Sequence, residues 1–426
     1  MSRLPVVVIL GATGSGKSRL AIEIAKKYGG EILSADSMQV YSDLNVITNK
    51  VTAEERRQAP HHLLDVVSPS RQFTVVDFRN MAVPLVEGLL ERNVLPVVVG
   101  GTNYYIESVL WKTLVVGPRQ KREHDSVGEL EEIRKRWKVD VDERKHIPTS
   151  ELHNQLKKVD PEMASMLHPN NRRKIIRSLQ VFAQEGRTHS SILRQQREEG
   201  GTDLGGPLRF PHSCLLWLQC EQEVLDKRLD ARVDTMLEQG LVKELLEFHR
   251  QYNQERMASG AQPDYTVGIF QSIGFKEFHD YLILPEAERN ADRGKELFEK
   301  GVEDLKLATR RYARRQLKWI RNRFLREPNR QVPNVYGLDA TDPLQWDEKV
   351  LGPATSVVES YARGEVPASP RPLPAEPREE ARDSSTSRAC EACGRVFLGR
   401  VQWRDHLASK KHQRALRRLA RAGGET

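Results

Sequence analysis

Five apolar residues, Val6 to Leu10, run directly into Gly11-Ala12-Thr13-Gly14-Ser15-Gly16-Lys17-Ser18, and a helical pattern follows from Arg19 to Lys27. A buried strand, G-x-x-x-x-G-K-S and a helix in that order predict a phosphate-binding P-loop and commit the chain to an α/β sheet. Gly11, Gly14 and Gly16 let backbone N–H groups turn inward around an anion. The helix behind them points its positive end at the same place. Lys17 adds a point charge, and the Ser18 hydroxyl suits Mg2+. The loop therefore binds a di- or triphosphate; by itself it does not say which.

Strand-like runs (5–10, 30–35 and 94–99) alternate with helical ones as far as residue 111, the pattern of a parallel sheet. From 117 to 205 the apolar runs shorten and helix signals dominate; His212 to Cys220 is again a buried strand, and helices resume from 221 to about 326. Residues 365–388 set Pro367, Pro370, Pro372, Pro374 and Pro377 among Glu, Arg and Ser, the composition of a flexible linker. The expected organisation is a P-loop-containing parallel sheet flanked by helices (1–116 and 206–330), a helical insertion (117–205), an extension and linker (331–388), and a small C-terminal module (389–426).

That module carries Cys390-x2-Cys393, twelve residues, then His406-x5-His412. Two thiolates and two imidazoles at these separations can close a tetrahedron around Zn2+. Phe397, Trp403 and Leu407 offer only a minimal core, which a piece this small cannot stabilise without metal. Nine cations between Arg395 and Arg421 surround it. A lone finger covers only ~3 base pairs of DNA, so structured RNA read by shape is the better partner.

Charge supports this reading. Lys+Arg outnumber Asp+Glu by 67 to 59, a net charge of +8, and the surplus is clustered. In 303–326, Ala313, Leu317, Ile320 and Phe324 mark one apolar helix face. Arg310, Arg311, Arg314 and Arg315 crowd the rest; such cations repel unless an anion neutralises them, which favours a phosphate backbone over a merely solvated face. Arg173 and Arg177, in the insertion, repeat the theme more briefly, and a plain helix surface would explain them too. No apolar run approaches the ~20 residues of a membrane span, so no membrane role is expected. Four cysteines, two of them in C-x-x-C, are not a disulfide framework. With the first strand starting at Val6, no presequence is visible, and a cytoplasmic protein is expected.

The P-loop has further company: Ser34-Ala35-Asp36-Ser37-Met38-Gln39-Val40-Tyr41, Pro60 to Val66, Val97-Val98-Val99-Gly100-Gly101-Thr102-Asn103-Tyr104-Tyr105, Asp160-Pro161-Glu162, Arg173 to Val181, Arg232 to Met236, Gln271 to Glu277, and Thr309 to Tyr312. Taken in this order these segments resemble the tRNA dimethylallyltransferase (isopentenyltransferase) family, whose eukaryotic members add a finger. The match is poorest over 117–150. The resemblance implies transfer of a five-carbon allylic group from dimethylallyl diphosphate to the exocyclic amine of the adenosine 3′ of the anticodon, by a monomer that takes hold of the tRNA anticodon stem-loop. It implies that Gly11, Thr13, Gly14, Ser15, Gly16, Lys17, Ser18 and Mg2+ hold the leaving diphosphate. Arg232 is then a clamp, Thr102 a donor to the departing oxygen, and Asp36 the group that takes a hydrogen from the amine. Ser37, Met38 and Gln39 would hold a flipped base. His61 and His62 are adjacent on a strand, point to opposite faces, and are read as structural.

Three other classes share parts of this pattern. A P-loop kinase would need neither finger nor cationic helix. A free-nucleotide isopentenyltransferase shares the P-loop and S-A-D-S, but has no use for the insertion. A non-enzymatic RNA-binding protein would have no reason to keep Lys17, Ser18, Asp36 and Thr102 together.

Overall fold

The computed structural model describes residues 4–69, 71–112, 147–202, 204–253, 265, 268–327, 330–376 and 387–422, the side chains of 252–253 and 419–422 excepted. The poorly matching stretch of the insertion, as far as residue 146, lies outside the described residues, as does the side chain of Arg421 in the basic tail.

One unit comprises Met1–Lys112 and Leu208–Glu376. Its sheet runs β3-β2-β4-β1-β5-β6, with β1 at Val6–Gly11, β2 at Glu31–Ser34, β3 at His61–His62, β4 at Pro96–Val99, β5 at Ser213–Gln219 and β6 at Val335–Asp339. Every pairing is parallel. β1, β4 and β5 are mostly apolar and buried along their length because both faces of a parallel sheet are covered. On one face α1 (Lys17–Tyr28) buries Leu20, Ile24 and Ala25 against Val7, Ile9 and Leu216. On the other α2 (Val75–Glu91) and α3 (Asn103–Leu110) bury Phe78, Val86, Ile106 and Leu110 against Val8, Leu10 and Leu215. After β5 come α4 (Gln222–Glu238), α5 (Leu241–Phe248) and the long α6 (Asp292–Ile320). Ala313, half-buried Leu317 and Ile320 on the last of these, with Phe324 in the turn that follows it, do form an inward-facing stripe. His61 Nδ1 pairs with the Ala59 carbonyl and His62 Nε2 with Glu31, two separate roles as expected of neighbours on a strand.

The expected extension and linker needs correction. Residues 331–376 belong to the sheet unit: they supply β6 and α7 (Gly352–Ala362), whose Ala354, Val357 and Val358 pack on the α1 face. The Pro-rich stretch is also tied down as far as Glu376. The Leu373 N–H donates to the Val335 carbonyl (2.7 Å), and the Glu376 N–H donates to Leu325 (2.9 Å). The Glu376 carboxylate pairs with Arg321 and Arg326. Prolines here hold an extended chain against a sheet edge that accepts its few remaining N–H groups, so composition alone misled. Residues 377–386 lie outside the described residues.

The second unit comprises Thr113–Pro207 and Pro377–Thr426. Helices at Thr149–Val159, Pro161–Met166, Arg172–Glu185 and His189–Glu198 enclose Leu152, Leu156, Ile175, Leu179 and Phe182. Buried Asp160 ties them together, accepting from the N–H groups of Met163 and Ser190. The terminal module pairs β7 (Ser387–Cys390) antiparallel with β8 (Arg395–Leu398) ahead of helices at Gly399–Leu407 and Lys410–Ala422. No helix among the described residues is long and apolar enough to cross a membrane.

Candidate active site and metal centre

Three strand ends build the site. β1 passes into the P-loop, β2 leads to Asp36, and β4, between them in the sheet, leads to Gly100-Gly101-Thr102. The carboxyl edge of a parallel sheet is where loops open to receive ligands. The approach is too close for side chains on the β4 exit. A Cβ at Gly100 would lie 2.1 Å from the Ala35 carbonyl oxygen, and one at Gly101 would lie 2.5 Å from Gln316 Nε2 and 3.3 Å from Asp36 Oδ2.

In the loop, Gly14 and Gly16 take φ of 81° and 93°, which other residues rarely adopt, and Gly11, Thr13 and Ser15 complete the turn. Lys17 Nζ donates to the Ala12 carbonyl (2.6 Å). Burial and the neighbouring Arg232 pull its pKa down to about 7, against a smaller upward pull from Asp36. Arg232, from α4, donates to Thr13 Oγ1 at 2.6 Å. Burial lowers its pKa to about 10, so it remains a cation at neutral pH. The buried Ser15 hydroxyl has no partner among the described residues, while Ser18 is exposed on the cavity wall.

Asp36 Oδ1 accepts the Met38 N–H at 2.9 Å. Burial raises its pKa above the ordinary carboxylate value; backbone N–H groups and Lys17 oppose that rise. Thr102 Oγ1 accepts the Ser37 N–H (2.9 Å) and donates to Ser37 Oγ (3.1 Å). It makes no side-chain capping bond to α3, so a simple N-cap does not explain it. The Gln39 amide accepts from Ser34 Oγ (2.9 Å) and donates to the Asn49 carbonyl (3.0 Å). Thr13, Lys17, Asp36, Gln39, Arg232 and Tyr312 line one cavity of about 260 Å³; Ser37, Met38 and Thr102 stand beside it rather than in its lining.

Sequence reasoning missed two residues here. Gln316 of α6 accepts the Thr13 N–H (2.8 Å) and donates to the Gly101 carbonyl (2.9 Å), joining the P-loop to the β4 exit. Its only signal was an uncharged amide on the apolar side of a cationic helix. Trp346 lies against the P-loop, where a Cβ on Gly16 would meet its ring at 2.9 Å. Its indole N–H donates to Glu23 (2.7 Å), and the Arg19 guanidinium stacks 4.3 Å above it.

The argument from repelling cations fails for half of the arginine cluster. Arg310 pairs with Asp230 and Arg314 with Asp226, each at 2.5 Å, so acids on α4 neutralise them. Arg311 and Arg315 are exposed and pair with no acid among the described residues. Arg173 is exposed and Arg177 half-buried, both in the second unit.

Cys390, Cys393, His406 and His412 bring one donor atom each to within 4.8 Å of the others. His412 Nδ1 lies 3.5 Å from both thiol sulfurs, and His406 Nε2 is buried with no hydrogen-bond partner. An orphaned imidazole nitrogen facing two thiols and a second imidazole fits a tetrahedral zinc. Phe397 stacks on His406 (3.9 Å) and meets Trp403 edge-on, whereas Leu407, expected in the small core, is 41% exposed. Stacking around the ligands replaces it.

The IPP transferase family profile matches residues 39–323, an isopentenyl transferase profile matches 4–65, and a C2H2 zinc-finger profile matches 388–412. The tRNA dimethylallyltransferase of Homo sapiens is 48% identical over 98% of this chain and 87% of its own length. That of Saccharomyces cerevisiae is 31% identical over 98% and 93%. A crystal structure of a eukaryotic dimethylallyltransferase acting on tRNA superposes with a TM-score of 0.80 at 30% identity, covering 98% of both chains. The full-length tRNA isopentenylpyrophosphate transferase of Bacillus halodurans gives a TM-score of 0.51 at 30% identity, covering 84% of this chain and 98% of its own.

Proposed function

This chain belongs to the IPP transferase family, and we infer from the site how its own residues carry out the reaction. It is a tRNA dimethylallyltransferase with a C-terminal zinc finger. The free-nucleotide and kinase readings are set aside, because the relatives that match nearly the whole chain are enzymes of tRNA.

The observation that carries the mechanism is the meeting of Asp36 with the P-loop cations across one cavity. Dimethylallyl diphosphate lies with its phosphates in the loop, against the amides from Thr13 to Ser18, the Ser15 hydroxyl, Lys17 and Arg232. The adenine amine attacks the allylic carbon that bears the diphosphate. A C–N bond forms, the C–O bond breaks with its electron pair going to pyrophosphate, and the amine proton goes to Asp36 Oδ. Burial raises the basicity of that carboxylate, which suits it to take a proton. Charge on the leaving group meets Lys17 and Arg232, already in place and desolvated. Thr102 is one bond from Ser37 and reaches the departing oxygen by rotation of its hydroxyl. Gln39 trades its contact with Asn49 for the base, with Ser37 and Met38 beside it. The lone pair of the amine is delocalised into the ring, so orientation of the two substrates contributes heavily.

Ser18 is the loop's hydroxyl donor for Mg2+; among the described residues no carboxylate cluster competes for the ion, which suits a metal held by substrate phosphates. When bound, Mg2+ neutralises developing phosphate charge. Arg173, Arg177, Arg311 and Arg315 contact tRNA phosphates, while Arg310 and Arg314 hold α6 on α4. The insertion and finger grip the tRNA, and the protein acts as a monomer.

The test offers labelled dimethylallyl diphosphate and Mg2+ to the protein with unmodified tRNA, AMP or ATP. Label should enter tRNA alone, with one pyrophosphate released per label. Label on AMP or ATP would overturn the acceptor.

A further inference from the structure

Tyr104 (47% exposed) and Trp319 (38% exposed) are the two exposed aromatic side chains among the described residues. They touch, their rings meeting edge-on with centroids 6.3 Å apart. Exposed aromatic surface of this kind is costly to leave in water without a purpose. Both belong to elements that build the site: Tyr104 is two residues beyond Thr102, at the start of α3, and Trp319 is three beyond Gln316 on α6. Tyr312, Gln316 and Trp319 follow one another at i, i+4 and i+7, so they share one stripe of that helix, about 10 Å long.

The pair is also held in place. The Trp319 indole N–H donates to Glu107 Oε1 at 2.6 Å. Glu107 is itself buried, in ion pairs with Arg323 (3.1 Å) and buried Arg330 (2.8 Å). The Arg323 guanidinium lies 5.3 Å over the indole ring. A solvent-facing indole anchored by a buried carboxylate is a rigid surface. Besides Arg323, two cations stand on the same helix: Arg315, one turn before Trp319, and its chain neighbour Lys318, both exposed and without an acid partner among the described residues.

We propose that Tyr104 and Trp319 form a stacking platform for an unpaired base of the tRNA anticodon loop, beside the adenosine that enters the cavity. The proposal rests on the tRNA-transferase reading above. Flat π-surface beside unneutralised cations is the combination that holds single-stranded nucleic acid. A protein partner would also want the aromatics, but it would not call for cations lacking counter-charge. Stacking there would hold the loop open while its neighbour is turned into the site.

The test measures transfer to tRNA and to tRNAs carrying one abasic nucleotide at successive anticodon-loop positions. Tyr104→Ala, at an exposed position, should raise KM for tRNA roughly five-fold or more and leave KM for dimethylallyl diphosphate unchanged. One abasic substrate should cost the wild type a similar factor and cost Tyr104→Ala nothing further. Trp319→Phe, which keeps a ring, should retain most tRNA affinity, and Trp319→Ala should not. Wild-type KM in Tyr104→Ala, or full additivity at every abasic position, overturns the platform while leaving the transferase reading intact. Absence of transfer by the wild-type protein to any tRNA overturns both.

Discussion

At the residue scale the account depends on two groups whose charge is shifted toward use. Lys17 is pulled down to about 7, so in the free enzyme its proton is lost as pH rises through neutrality. The diphosphate needs that proton, so kcat/KM for dimethylallyl diphosphate should fall above about pH 7, and Lys17→Arg should move the fall to higher pH; a flat profile through pH 9 would contradict this. Asp36 is shifted the other way, above the ordinary carboxylate value. It acts as base only when ionised, so activity should also fall on the acid side, through a step lying above the usual carboxylate range. Gln316 acts by holding two loops together. Gln316→Ala strands the Thr13 N–H and leaves the Gly101 carbonyl only its 3.4 Å bond from the Tyr312 hydroxyl, and a buried unpaired group costs about 1–3 kcal/mol. Thermal stability should drop and KM for the diphosphate should rise together; a change in neither would remove Gln316 from the site.

At the scale of elements, the segment from β6 to α7 backs the P-loop. Trp346 is buried, and its ring sets the limit on what can stand at Gly16. Trp346→Ala should cost about 3–5 kcal/mol and weaken diphosphate binding, with Trp346→Phe restoring most of both in thermal melts and KM. The finger is a separate element with a separate readout. Cys393→Ser should release zinc, raise KM for tRNA and flatten its salt dependence, while kcat at saturating tRNA persists. An unchanged salt slope would assign the finger some other task. Elements differed in how plainly the sequence announced them. β1, its loop and α1 are contiguous, and a local pattern carries them entirely. The sixth strand is five residues whose partner lies more than a hundred positions away, next to prolines that resemble a linker. Likewise Asp226 and Asp230 neutralise Arg314 and Arg310 from another helix, and no reading of 303–326 alone contains them.

At the scale of the whole molecule, one chain joins a P-loop sheet unit to a helical insertion and a zinc finger. That Asp36, Lys17 and Thr102 meet at neighbouring strand ends, and that the two cysteines and two histidines converge, was legible because each sits in a short ordered motif. Gln316, Trp346 and the Glu107 anchor were not, because their meaning comes from partners hundreds of residues away that only folding supplies. The central claim is that Asp36 takes the amine proton while the P-loop holds the leaving pyrophosphate. The most direct measurement is the single-turnover rate of label transfer to tRNA by Asp36→Asn, alongside its affinity for tRNA and for the diphosphate. The account predicts a 10²–10⁴-fold slower transfer with both affinities close to wild type. Transfer at the wild-type rate, or a loss explained wholly by weakened binding, would contradict it.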